Sequence, residues 1–224
     1  NDDAIARFGV GKNMVEAIRH WADAMGVIEQ DQKTNSINTT AFGRLLFGND
    51  GLDPYLESNS ALWLLHWKLA SSSQKTTWYW VFNYFVGQTF EREQIIKGLS
   101  ELSENAPWVS PSLNTIKRDV ECFVRTYSAK PIKGKEAHED ALECPLVELG
   151  LIKNAGSRTT YRMLRGRKKS LDDMVFVYCL LDFWKCFSPA SSTLSFETIM
   201  YEVGSPGRVL LLDESDVANR LARI

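Results

Sequence analysis

Apolar and aromatic positions crowd residues 62–85, LWLLHWKLASSSQKTTWYWVFNYF, which hold eight Trp, Tyr or Phe among 24 residues and no acid. Leu62, Leu65 and Leu69 share one helical face, and Trp63, Trp67 and Ala70 the next. Trp78, Val81, Phe82 and Phe85 then recur at i, i+3, i+4 and i+7. Helices apolar around most of their circumference are buried. The pattern predicts a central aromatic helical hairpin turning at 71–74, whose indole N–H and Tyr hydroxyl groups need partners.

Before this core, Met14, Val15, Ile18, Trp21, Ala22 and Met25 mark the inward face of a helix that ends at Gly26. Val27-Ile28, a polar tip and a second apolar stretch at 37–43 with T-x-x-G then describe the last helix and β-hairpin wing of a winged helix. After the core, Thr89 is placed to cap a helix carrying Ile95, Ile96, Leu99 and Leu102. Beyond Pro107 and Pro111, Leu113, Ile116, Val120, Phe123, Val124 and Tyr127 form a narrow seam. That seam turns Asn114, Lys117, Arg118, Glu121 and Arg125 away from the core, as the second helix of a DNA-reading helix-turn-helix would. A solvated helix face is the equally weighted alternative.

A charged stretch at 130–140 precedes Gly150-Leu151-Ile152, which echoes Gly26-Val27-Ile28, and a strand at 159–164. Ser170 with Asp173 predicts the start of a buried helix reaching about Phe187. Residues 205–208 read as a tight turn, and Asp213 as the cap of a last helix with Val217, Leu221 and Ile224 inward. The expected architecture is mainly α with short β-hairpin wings: tandem winged-helix or helix-turn-helix units at 1–52, 89–129 and 130–224 around an aromatic core at 53–88.

Charge sharpens this picture. Residues 1–110 carry 9 basic and 13 acidic side chains, whereas 111–224 carry 17 and 15. Arg158, Arg162, Arg165, Arg167, Lys168 and Lys169 occur without an intervening acid, a stripe suited to phosphate contacts. Lys12 and Asn13 follow a glycine turn at a helix start, a fair anion site, although Ala6 and Asn13 break the P-loop pattern. Arg208 in the turn at 205–208 joins the phosphate-binding candidates.

No apolar run is long enough to span a bilayer. Cys122, Cys144, Cys179 and Cys186 lack CxxC spacing and read as reduced thiols of a cytoplasmic protein. Cys122, His138 and Cys144 match no zinc-ligand spacing. His66 beside two tryptophans reads more simply as a hydrogen-bonded core residue than as a nucleophile.

RFGVGKNMVEAIRHW (7–21), LWLLHWKLA (62–70), TWYWVFN (77–83), KRDVECFVRTY (117–127), ECPLVELGLI (143–152) and GSPGRV (204–209) resemble the SspB-like family. This family is associated with DNA phosphorothioation and phage defence. The resemblance implies a DNA-nicking endonuclease that opens one strand for sulfur incorporation, working with a cysteine desulfurase and an ATPase. It also implies a further segment before the glycine-rich helix; with the catalytic residues there, this chain would bind without cutting. A non-catalytic DNA-binding adaptor is the alternative, and a homodimer is compatible with both. Hydrolysis would need Mg²⁺ or Mn²⁺ on carboxylates, with His66, Asp119 and Glu121 as the nominated catalytic residues.

Overall fold

A computed structural model describes residues 2–31, 33–104, 111–129, 144–156 and 159–224. Pro107, the stretch at 130–140 with His138, and Arg158 lie outside the described residues. The protein is mainly helical with small antiparallel sheets, and it divides into two units, Asn1–Ala61 and Leu62–Ile224. No helix among the described residues is long and apolar enough to cross a membrane.

The first unit runs α1 (Asp2–Phe8), α2 (Lys12–Ala24), β1 (Ile28–Gln30), β2 (Ile37–Thr39) and α3 (Ala41–Phe47). Helix α2 stops where Gly26 takes a left-handed conformation, φ +68°, and β1 pairs antiparallel with β2, Ile28 opposite Thr39. The T-x-x-G motif closes this hairpin onto α3. Thr40 Oγ1 donates to the Gly26 carbonyl at 2.6 Å and accepts from Gly43 N–H at 2.8 Å. A Cβ at Gly43 would lie 2.1 Å from the Val27 carbonyl oxygen, so only glycine lets the strand and helix approach this closely. Met14 and Ile18 depart from the expected inward face and are 55% and 45% exposed. Helix α2 packs against α1 and β1; it buries Val15 as expected, and Ala24 as well.

Helix α4 (Asn59–Ser71), which belongs to the second unit from Leu62 on, and α5 (Thr76–Asn83) are the two expected aromatic helices. From Leu62 to Ala70 every side chain of α4 except Lys68 is buried. The tryptophans have found partners: Trp63 Nε1 donates to Ser170 Oγ at 3.2 Å and Trp67 Nε1 to Asp182 at 2.8 Å. His66 is fully buried among the rings of Trp63, Phe82 and Tyr127. Its Nε2 lies 2.8 Å from the Val209 carbonyl and its Nδ1 2.8 Å from the Tyr127 hydroxyl. A carbonyl can only accept, so Nε2 carries the proton and Tyr127 donates to Nδ1.

After α5 come β3 (Thr89–Glu91), α6 (Arg92–Glu104), α7 (Leu113–Tyr127), a 3-10 turn (Pro145–Leu149), β4 (Ile152–Asn154) and β5 (Thr160–Met163). The strands form one antiparallel sheet in the order β3-β5-β4. Thr89 therefore does not cap α6; it pairs with Arg162 in the sheet, and Gln94 Oε1 closes the helix start by accepting from Glu91 N–H at 2.8 Å. Phe90 stacks on Tyr161 and contacts Phe123 of α7, so the parts expected at 89–129 and 130–224 share one core. Gly150 repeats the left-handed turn of Gly26, φ +60°.

The chain closes with α8 (Asp173–Phe187), α9 (Phe196–Tyr201), α10 (Pro206–Val209) and α11 (Glu214–Leu221). Asp172, rather than Ser170, caps α8 through Met174 N–H, because Ser170 is engaged by Trp63. Residues 206–209 are helical rather than a turn, with Ser205 as the cap. Asp213 caps α11 as expected, and Val217 is buried, but Ile224 is 59% exposed. Arg220 is buried and gathers this region: it donates to Asp216 at 3.1 Å, to Asp173, and to the Leu171 and Lys168 carbonyls at 2.9 and 2.8 Å.

Three outcomes follow. Gly43→Ala should lower unfolding free energy by about 1–3 kcal/mol through overpacking, read in urea melts. Arg220→Ala should cost about 3–5 kcal/mol because it strands the buried Asp216 charge. Burial holds the His66 imidazole down to about 4, so the unfolded chain binds the extra proton between pH 4 and about 6.5. The stability contribution is therefore complete above pH 6.5 and is lost as pH falls toward 4, by up to about 3 kcal/mol. Urea midpoints across that window should fall less steeply for His66→Asn.

Candidate nucleic-acid interface

Ser112 starts α7 by accepting from Thr115 N–H at 3.2 Å. Ile116, Val120, Phe123, Val124 and Tyr127 are then buried as the seam predicts, whereas Leu113 is exposed in the first turn. Asn114, Lys117, Arg118, Asp119 and Arg125 are exposed. They are not equally available. Glu121 accepts from Arg125 Nε and pairs with Arg92 Nε, both at 3.0 Å. Lys117 and Arg118 have no ion-pair partner among the described residues, so they are the available cations of this helix face.

The sheet supplies a second group. Ile152, Asn154, Tyr161 and Met163 share the face that meets Phe90 and α7, which turns Lys153 and Arg162 to the other face. Both are exposed, and they are direct cross-strand partners. Like charges placed opposite one another weaken a sheet, and an anion across them would relieve that cost. Lys153 was not singled out from the sequence; its register against Arg162 could be read only once β4 and β5 were paired. At the hairpin tip, Asn154 Oδ1 accepts from Gly156 N–H at 3.1 Å.

Past β5 the basic stripe divides. Arg165, Arg167 and Lys169 are all exposed, but Arg165 is also tied to the fold. Arg165 Nη1 donates to the Gly207 and Leu212 carbonyls at 2.9 and 2.8 Å. Lys168 is buried, its ammonium donating to the Leu164 carbonyl and its backbone N–H to Asp216. Burial, then the Arg165 charge, pulls that ammonium down to about 8. Lys168 is thus enclosed within the fold, with its ammonium engaged by a carbonyl. Arg208 is half-buried and donates to the Asn83 and Tyr201 carbonyls. In the first unit, Lys12 and Asn13 are exposed in the first turn of α2, where Gly11 offers no side-chain cap.

The three catalytic nominations do not form a metal centre. His66 is enclosed with both ring nitrogens engaged, Glu121 is held by two arginines, and Asp119 is exposed on α7. Among the described residues, no group of three His, Cys, Asp or Glu side chains converges to hold a metal ion. The residues present therefore do not fit a divalent-cation site built on that triad.

The family model described as protein of unknown function (DUF4007) matches residues 1–224. Two solved structures are similar over all of this chain and 68% of their own: a magnesium ion-bound SspB crystal structure, 32% identical with a TM-score of 0.89, and a second SspB crystal structure, 31% identical with a TM-score of 0.85. No curated protein matches the chain.

Proposed function

The chain belongs to the DUF4007 family, with the SspB structures among its relatives, and from that relationship we propose that it is the DNA-engaging part of an SspB-type component of a DNA phosphorothioation system. The observation that carries the DNA-binding step is the element order α5-β3-α6-α7-β4-β5 with sheet order β3-β5-β4. We read this as a winged helix in which α7 is the recognition helix and the β4–β5 hairpin the wing. Asn114, Lys117 and Arg118 on the helix, Lys153 and Arg162 on the wing, and Arg167 and Lys169 beyond it are the phosphate and base-edge contacts of this reading. The β1–β2 hairpin after α2, with Lys12 and Asn13, is a second, separate candidate in the first unit.

Strand nicking is the activity that the relationship to SspB brings with it, and magnesium binding by an SspB relative makes Mg²⁺ the cation to supply. In this reading the ion is held by ligands other than the His66–Asp119–Glu121 set. The arrangement of those three residues favours a second reading, in which the chain is a non-catalytic adaptor delivering DNA to its partners. A cysteine desulfurase and an ATPase are the proposed partners in both.

Reversing charge at Lys117 and Arg118 (K117E/R118E) should weaken duplex binding at least tenfold at about 0.1 M salt. It should also make the dependence of log affinity on log salt shallower by about one unit per lost phosphate contact; fluorescence anisotropy measures both, and an unchanged slope would refute the assignment of α7. Supercoiled plasmid incubated with and without Mg²⁺ or Mn²⁺ separates the two readings. Metal-dependent open circles establish nicking, and bound but uncut plasmid establishes the adaptor.

A further inference from the structure

The second unit contains a cavity of about 560 Å³ that DNA contact by α7 and the wing does not use. Phe85, Val86, Met163 and Met200 contribute apolar lining, and Arg165 and Arg208 line it as well. The cavity adjoins the sheet, since Gln88 and Met163 both line it and Met163 N–H donates to the Gln88 carbonyl at 2.8 Å.

Both arginines are fixed in place by neutral acceptors. Arg165 holds the Gly207 and Leu212 carbonyls, and Arg208 holds those of Asn83 and Tyr201. Neither forms an ion pair among the described residues. Asp213 and Glu214 also line the cavity, without an ion pair to either arginine among the described residues: Asp213 accepts from Asp216 N–H at 2.7 Å as the cap of α11, and Glu214 accepts from the Tyr201 hydroxyl. Arg165 keeps part of its surface in solvent; partial desolvation of its guanidinium first, and the Arg208 charge second, lower its proton affinity, partly offset by Tyr201 and Asp213. The two guanidinium charges repel each other, a repulsion that Asp213 only partly offsets, and an anion reaching both would relieve it. Anchored guanidinium forks favour phosphate in particular.

We infer that this cavity binds the phosphate of a nucleotide-sized ligand, with Arg165 and Arg208 on the phosphate and Phe85, Val86 and Met163 beside the base and sugar. The volume falls within the range of small-molecule sites and exceeds what a bare phosphate fills. The same chemistry has two sources, a free nucleotide or a nucleotide of a DNA strand. Only the second rests on the DNA-binding reading.

The test is calorimetric titration with deoxynucleoside 5′-monophosphates, inorganic phosphate and a short single-stranded oligonucleotide. Ser215→Glu brings a negative charge into the lining at an exposed position in the first turn of α11, where the helix dipole tolerates an acid. Val86→Trp fills space at a position 92% exposed and leaves charge unchanged. Both variants should keep the wild-type melting temperature and weaken mononucleotide binding at least tenfold, whereas K117E/R118E leaves it unchanged. If only the oligonucleotide binds, and Ser215→Glu and Val86→Trp weaken it in the K117E/R118E background too, the ligand is a strand nucleotide. If no titrant responds to either cavity variant, the inference is overturned, whatever the fate of duplex binding by α7.

Discussion

A neutral imidazole sealed among aromatic rings ties the second unit together. His66 on α4 reaches Tyr127 at the end of α7 through one nitrogen and the Val209 carbonyl of α10 through the other. Three segments far apart in the chain thus meet at one side chain that has no access to water. A buried hydrogen-bonding group left without its partner costs more than the bond itself contributes, so the position of α7 and of the 205–212 segment is coupled to this one residue. Asn83 acts in the same way nearby, donating to the Ala70 carbonyl at 3.2 Å and accepting from Gly204 N–H at 2.7 Å. The polar atoms inside this aromatic core are what give it a unique arrangement, since rings alone pack in many ways.

That arrangement decides which cations face solvent. With α7 held by Tyr127 and Phe123, its opposite face must present Lys117 and Arg118. With Phe90 stacked on Tyr161, the alternation along β4 and β5 turns Lys153 and Arg162 outward as a like-charge pair. The protein bears the repulsion of that pair on an exposed sheet face, where solvent screening keeps it small and a phosphate would reverse it. Charge that the fold uses for itself is treated differently. Arg220 and Lys168 are buried with carboxylates and carbonyls around them, and Arg165 and Arg208 bind backbone carbonyls of the segment that carries the GSPGRV motif.

The basic stripe shows how one run of sequence can serve both ends. Residues 162–169 leave the sheet at Met163 and pass the 205–212 segment, with Gly166 N–H donating to the Leu211 carbonyl at 2.9 Å. Successive side chains along such a path point to different environments. Arg167 and Lys169 reach solvent, Arg165 is exposed yet holds carbonyls, and Lys168 is enclosed beside Asp216. Net charge counted along the chain therefore overstates the electrostatic footprint available to a polyanion.

The sequence by itself determined the longer helices and much of their buried faces, but not the short α1, α9 and α10. Periods of 3.6 residues specify α2, α4, α5, α7, α8 and α11, a local cap adds to the signal at α11, and T-x-x-G marks the junction of the β1–β2 hairpin with α3, because each of these signals acts within a few residues. GSPGRV, LLHWKLA and TWYWVFN carried the family in the same local way. Only the tertiary structure decided that Thr89–Glu91 is a strand, because β3 gains its hydrogen bonds from β5, some seventy residues later. The same holds for the engagement of Ser170 by Trp63, the enclosure of Lys168, and the pairing of Lys153 with Arg162. It holds also for the convergence of Arg165 and Arg208 on one cavity. Each depends on partners that chain periodicity does not record, because a strand three residues long and a side chain's burial are set by what packs against them.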